Sequence, residues 1–66
     1  MSVARVTEIT SRSESSFDDA VAVGLQRAQS TLRNVEHAWI KDQEVYLKDS
    51  GHTYQVTMKI TFQLDD

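Results

Sequence analysis

The stretch His52-Thr53-Tyr54-Gln55-Val56-Thr57-Met58-Lys59-Ile60-Thr61-Phe62-Gln63-Leu64 decides the fold. Tyr54, Val56, Met58, Ile60, Phe62 and Leu64 alternate strictly with Thr53, Gln55, Thr57, Lys59, Thr61 and Gln63. A sustained period of two marks a β-strand with one buried face, because successive side chains point to opposite sides. The apolar face is core. The other face is polar and rich in threonine, as suits a wet interior or a contact between subunits. Just upstream, Lys48-Asp49-Ser50-Gly51 reads as a hairpin turn, with Gly51 supplying the positive φ such loops need.

The hairpin makes residues 35–48 a second strand, antiparallel to the first. Here Val35, Trp39, Val45 and Leu47 occupy odd positions, and Ala38, Ile40 and Tyr46 even ones. Apolar residues on both parities imply an irregularity, and the blurred run from Lys41 to Glu44 is where a β-bulge or strong twist is expected. Residues 16–32 read as a helix: Phe17, Val21, Leu25, Ala28 and Leu32 recur at spacings of three and four. Ser15 or Ser16 can cap it, and Asp18 and Asp19 in the first turn suit the helix dipole. Arg27 and Arg33 toward the other end suit it likewise, and Asn34 is a stop. Gly24 costs about 1 kcal/mol against alanine inside a helix, so close contact with the sheet or another helix is its expected compensation. Residues 3–10, with Val3, Thr7 and Ile9 on one face, read as a strand that the polar run Ser11-Arg12-Ser13-Glu14-Ser15 ends as a loop.

The expected fold is therefore α+β, in the order β-α-β-β. The last strand slots between the other two to give a three-stranded antiparallel sheet, with the helix packed on its apolar face. One domain over 1–66 is expected. The strands are longer than one helix can cover, and a chain of 66 residues buries only about 60% of its unfolded surface. Small domains of this kind usually need disulfides, a metal or partner subunits. There is no cysteine, and two histidines are too few for a closed zinc site. Association with copies of itself is the staple left over.

The formal net charge of −3, with Arg5, Arg12, Arg27, Arg33, Lys41, Lys48 and Lys59 spread along the chain, argues against nucleic-acid binding. No apolar run approaches the roughly 20 residues that span a bilayer. No basic segment followed by an apolar one opens the chain, so a cytoplasmic protein is expected. There is no glycine-rich phosphate loop, no cysteine nucleophile and no serine with a defensible histidine and acid partner, so an enzyme is not expected.

Arg27-Ala28, Thr31-Leu32-Arg33-Asn34-Val35, Tyr54-Gln55-Val56-Thr57-Met58-Lys59 and Phe62-Gln63-Leu64, together with Ser15-Ser16-Phe17 ahead of an acidic-apolar helix, closely resemble the dodecins. The resemblance covers essentially the whole chain. It implies a hollow homododecamer of 23 symmetry that holds flavins, riboflavin or FMN, in pairs near its three-fold channels and stores them without catalysis. In flavin-binding members a tryptophan early in the second strand stacks on the isoalloxazine ring, and a glutamine in the third strand hydrogen-bonds its pyrimidine edge. Gln55 falls at the glutamine position. His37 falls where the tryptophan belongs, and Trp39 lies two residues on, about 7 Å further along the same strand face. Bacterial members tend to carry Arg-Gly-His where this chain has Glu44-Val45-Tyr46, and that arginine helps to hold the FMN phosphate. A glutamate there repels a phosphate.

The candidate cofactor-binding residues are thus Gln55, His37 and Trp39, each with a plainer alternative. Gln55 offers a donor and an acceptor side by side, or is simply a polar residue on the inner strand face. His37 stacks on a ligand, binds a metal, or is a solvated strand histidine. Trp39 rescues stacking by a shift of register, or buries at a subunit interface, where tryptophan is enriched. Glu14, Asp18 and Asp19 form either a solvated cap or oxygen ligands for a hard cation. The leading expectation is a flavin-sequestering dodecamer. The rival is a flavin-free shell with a structural or ion-binding role.

Overall fold

The computed structural model describes residues 2–64; Met1, Asp65 and Asp66 of the 1–66 span lie outside it. The element order is β1 (Ala4–Ser13), α1 (Phe17–Thr31), β2 (Val35–Lys48) and β3 (Gly51–Gln63). The sheet order is β1-β3-β2, and β3 is antiparallel to both neighbours. The expected topology holds: the most regular strand is the central one.

Its even positions face the helix. Val56, Met58 and Ile60 are fully buried and join Ala20 and Ala28 of α1 in the core. The sequence stripe from Phe17 to Leu32 is off-centre in one respect. The deepest helix residues are the small ones, Ala20, Gly24 and Ala28, while Phe17, Val21, Leu25 and Leu32 flank them half-buried. Small residues at the line of closest approach let the helix sit low on the sheet. A Cβ on Gly24 would overlap Met58 Cε and lie 3.0 Å from Ser11 Cβ. At the helix start, Phe17 meets Tyr54 edge-on, with ring centroids 5.1 Å apart.

β1 runs three residues past the expected end, because Ser11, Arg12 and Ser13 continue the ladder opposite Val56, Gln55 and Tyr54. The polar run read as a loop is strand because a long partner is there to pair with it. Ser11 and Ser13 point inward and are buried. Ser13 Oγ donates to Asp19 Oδ2 at 2.6 Å and accepts from the Ser15 amide at 2.9 Å, which fixes the corner between β1 and α1. Val3 precedes the strand and is exposed, unlike the half-buried Thr7 and Ile9, and Leu64, past the end of β3, is exposed too.

Ser16 is the N-cap: its Oγ accepts from the Asp19 amide at 3.0 Å. At the other end no basic residue falls in the last turn, since Arg27 lies a turn earlier and Arg33 beyond the C-cap Leu32. Ser30 Oγ instead donates to the Arg27 carbonyl at 2.7 Å. Asn34 turns the chain with φ 59°, a left-handed conformation that asparagine tolerates. Gly51, with φ 138°, closes the two-residue hairpin.

β2 carries two irregularities, at Glu36 and at Lys41. Each shifts the parity, so Val35, then Ala38 and Ile40, then Val45 and Leu47 all fall on the helix side of the sheet. This explains the apolar residues on both parities, and the second irregularity lies where the blurred pattern placed it. The molecule is 51 Å long and 19 Å wide. A 15-residue helix spans only about 22 Å of that length. The hairpin end of β2 and β3 therefore overhangs, and leaves Leu47 78% exposed with Val45 and Tyr46 also open.

Gly24→Val is expected to lower stability by about 2 kcal/mol, because the added carbons meet a fully buried Met58 with little room to move. Urea midpoints at fixed chain concentration check this.

Candidate functional site

The face of the sheet away from the helix carries the odd positions of β3, and all three candidate residues lie on it. Across the sheet, side chains fall into rows set by the register. Val6, Thr61 and His37 form one row, and Glu8, Lys59 and Trp39 the next. Thr10, Thr57 and Asp42 follow, then Arg12, Gln55 and Glu44. The bulge at Lys41 sets this arrangement: it brings Trp39, rather than Ile40, opposite Lys59.

Gln55 is 7% exposed and is held from both sides. Arg12 Nε donates to its Oε1 at 2.7 Å, and its Nε2 donates to Glu44 Oε1 at 3.1 Å. One polar link thus ties all three strands. An amide oxygen has two lone pairs and an amide nitrogen two hydrogens. Gln55 therefore keeps one acceptor site and one donor site, the pair that a pyrimidine edge requires.

Trp39 is 57% exposed. The Lys59 ammonium lies 5.4 Å from its ring centroid, a cation–π contact on one face of the indole. Lys41 Nζ sits 3.6 Å from Glu8 Oε1, an exposed pair of small energetic weight. His37 is exposed at the end of the face, opposite Thr61.

The candidates share a face but not a pocket. The Trp39 row is four β3 residues from the Gln55 row, about 13 Å, and the His37 row six, about 20 Å. A flat ligand stacked on Trp39 and hydrogen-bonded to Gln55 must draw those two groups from different copies. A concavity of about 570 Å³ runs under the helix along the free edge of β1, and none of the three candidates lines it. The acidic group at the helix start divides its roles. Asp19 is engaged by Ser13, and no cluster of three His, Cys, Asp or Glu residues placed to hold a metal occurs among the described residues.

Sequence reading singled out Gln55 but missed Arg12, because β1 was ended too early. It weighed Glu44 against a phosphate but not against Gln55. That second partnership was accessible: counting back from a two-residue turn at Asp49 and Ser50 puts Glu44 opposite Gln55.

Known proteins match along the whole chain. The model of the Dodecin family matches residues 3–65. A relative from Mycobacterium tuberculosis, named calcium dodecin, is 28% identical over 65 residues, covering 97% of this chain and 92% of its own length. Dodecin from Streptomyces davaonensis superposes with a TM-score of 0.92 at 35% identity, over 98% of this chain and 97% of its own. A point mutant of Thermus thermophilus dodecin superposes with a TM-score of 0.93 at 27% identity over all of both chains.

Gln55→Glu is expected to cost about 1 kcal/mol, since it sets a carboxylate against Glu44 in place of a donor. Adding Glu44→Gln should restore most of that loss, because the new amide can donate back. Urea midpoints of the single and double variants check it.

Proposed function

The chain belongs to the dodecin family, and from that premise we propose that it is a cytoplasmic subunit of a hollow homododecamer that sequesters a flavin, riboflavin or FMN, without turning it over. The observation that carries this reading is the outer sheet face. It carries both an exposed indole, Trp39, and a glutamine amide whose free acceptor and donor suit a pyrimidine edge. Their separation within one chain supports a ligand site at a seam between copies, with the two groups drawn from different chains. The overhanging hairpin, with Leu47 and Val45 open, supports self-association, because exposed apolar strand surface is a liability for a lone chain.

When bound, the flavin supplies the redox-active ring, and the protein's part is to shield it. Stacking on Trp39 brings the ring against an electron-rich indole, which quenches its excited state. Gln55 orients the ring by its polar edge. His37, at the position where the family resemblance places a tryptophan, offers a smaller stacking surface.

A second reading, a flavin-free shell with a structural or ion-binding role, draws on Glu44. Its carboxylate stands where bacterial members tend to have an arginine, and it engages Gln55. The calcium named for the relative points the same way. Any cation would then be held between copies, since no metal cluster forms within one chain among the described residues.

Light scattering coupled to size exclusion is expected to give about 90 kDa, the mass of twelve copies of a 7.5 kDa chain. A stable monomer would refute both readings. Riboflavin or FMN titrated with micromolar protein should lose its fluorescence, and Trp39→Ala should weaken that quenching about tenfold or more in protein concentration. Unchanged emission with wild-type protein rejects the flavin reading and leaves the shell. His37→Trp should deepen quenching if the site lacks only its usual stacking partner.

A further inference from the structure

We propose that Arg12 and Glu44 are positioning residues that fix which way round Gln55 presents its amide, and thereby the orientation in which the site accepts its ligand. The proposal rests on the flavin reading above. The geometry allows only one orientation of the amide. Arg12 is donor-only and an ionised Glu44 is acceptor-only. Reversing the amide would set its NH2 against the guanidinium and its carbonyl against the carboxylate. Two favourable contacts, at 2.7 Å and 3.1 Å, would become two repulsive ones. Both contacts are charge-assisted, and such hydrogen bonds are about twice as strong as neutral ones. Gln55 itself is 7% exposed, so water competes poorly for its amide.

The amide therefore faces any ligand with its carbonyl toward β1 and its NH2 toward β2. A ligand edge must offer its donor on the β1 side and its acceptor on the β2 side. An unclamped glutamine could flip by half a turn about its last torsion and serve the reverse edge equally well. The clamp removes that freedom, and so selects one orientation of an asymmetric planar ring. Glu44, read from sequence as a group that repels phosphate, acquires a second role through Gln55. Arg12, which sequence reading assigned to a loop, becomes its counterpart on the opposite strand.

The test is a double-mutant cycle on the assembled protein, with riboflavin as probe. Glu44→Leu and Arg12→Leu are each made in the native chain and in a Gln55→Ala background, with assembly mass checked by light scattering. In the native chain each should raise the riboflavin Kd about fivefold. Each should also change the visible circular dichroism of the bound flavin, which reports how the ring lies against Trp39. In the Gln55→Ala background neither should have further effect, because their action passes through the amide. Glu44→Gln, of the same size and still able to accept from Gln55 Nε2 but without the charge, should fall between the native protein and Glu44→Leu in both affinity and dichroism. Independent, multiplying effects in the two backgrounds would overturn the proposal while leaving flavin binding intact, as would native dichroism in Glu44→Leu. Failure of the native protein to bind riboflavin would overturn the flavin reading and this proposal with it.

Discussion

β3 spends its backbone hydrogen bonds on both edges, on β1 along one side and β2 along the other, and among the described residues is the only strand that does so. Every other feature takes its place from that position. The even residues of β3 make the floor on which α1 lies, and the odd residues make the centre of each row on the outer face. Neither flanking strand touches the other, so both are held in register by β3 alone. The helix can lie close to this floor only because Ala20, Gly24 and Ala28 leave room for Val56, Met58 and Ile60 to fill.

The two faces of the sheet answer different needs. Toward the helix, burial of apolar side chains is the driving force, and among the described residues no buried side-chain polar atom lacks a hydrogen-bond partner. Ser13, for example, is tied to Asp19 and to the backbone at the helix start. On the outer face no element covers the sheet. Order there comes from side-chain links across strands: Arg12 to Gln55 to Glu44, and Lys59 over Trp39. This face is organised by polar links and still shows an indole to solvent, and it belongs to an elongated chain with an overhanging hairpin.

The two bulges in β2 connect fold to site. Without the one at Lys41, Ile40 would leave the core and Trp39 would turn inward beneath the helix. With it, the core keeps Ala38 and Ile40, and the indole is delivered to the outer face beside Lys59. A local break in the ladder thus decides on which side of the molecule its largest aromatic side chain stands.

Much of this was written in the sequence. Strict alternation in residues 52–64 fixed the central strand, because a period of two admits no other regular structure. The turn at Asp49 and Ser50 made the hairpin, and the three-and-four spacing from Phe17 to Leu32 made the helix. Gln55, His37 and Trp39 could be named from the resemblance, and parity put His37 and Trp39 on one strand face; that this face is also the face of Gln55 follows only from the bulge at Lys41. The end of β1 could not: Ser11-Arg12-Ser13 has loop composition, and only the presence of a long partner strand turns it into a ladder. The position and number of bulges in β2 likewise depend on what the neighbouring strand and helix can accommodate. Arg12 therefore reached Gln55 through tertiary pairing, across 43 positions of chain, a distance over which local propensity carries no information.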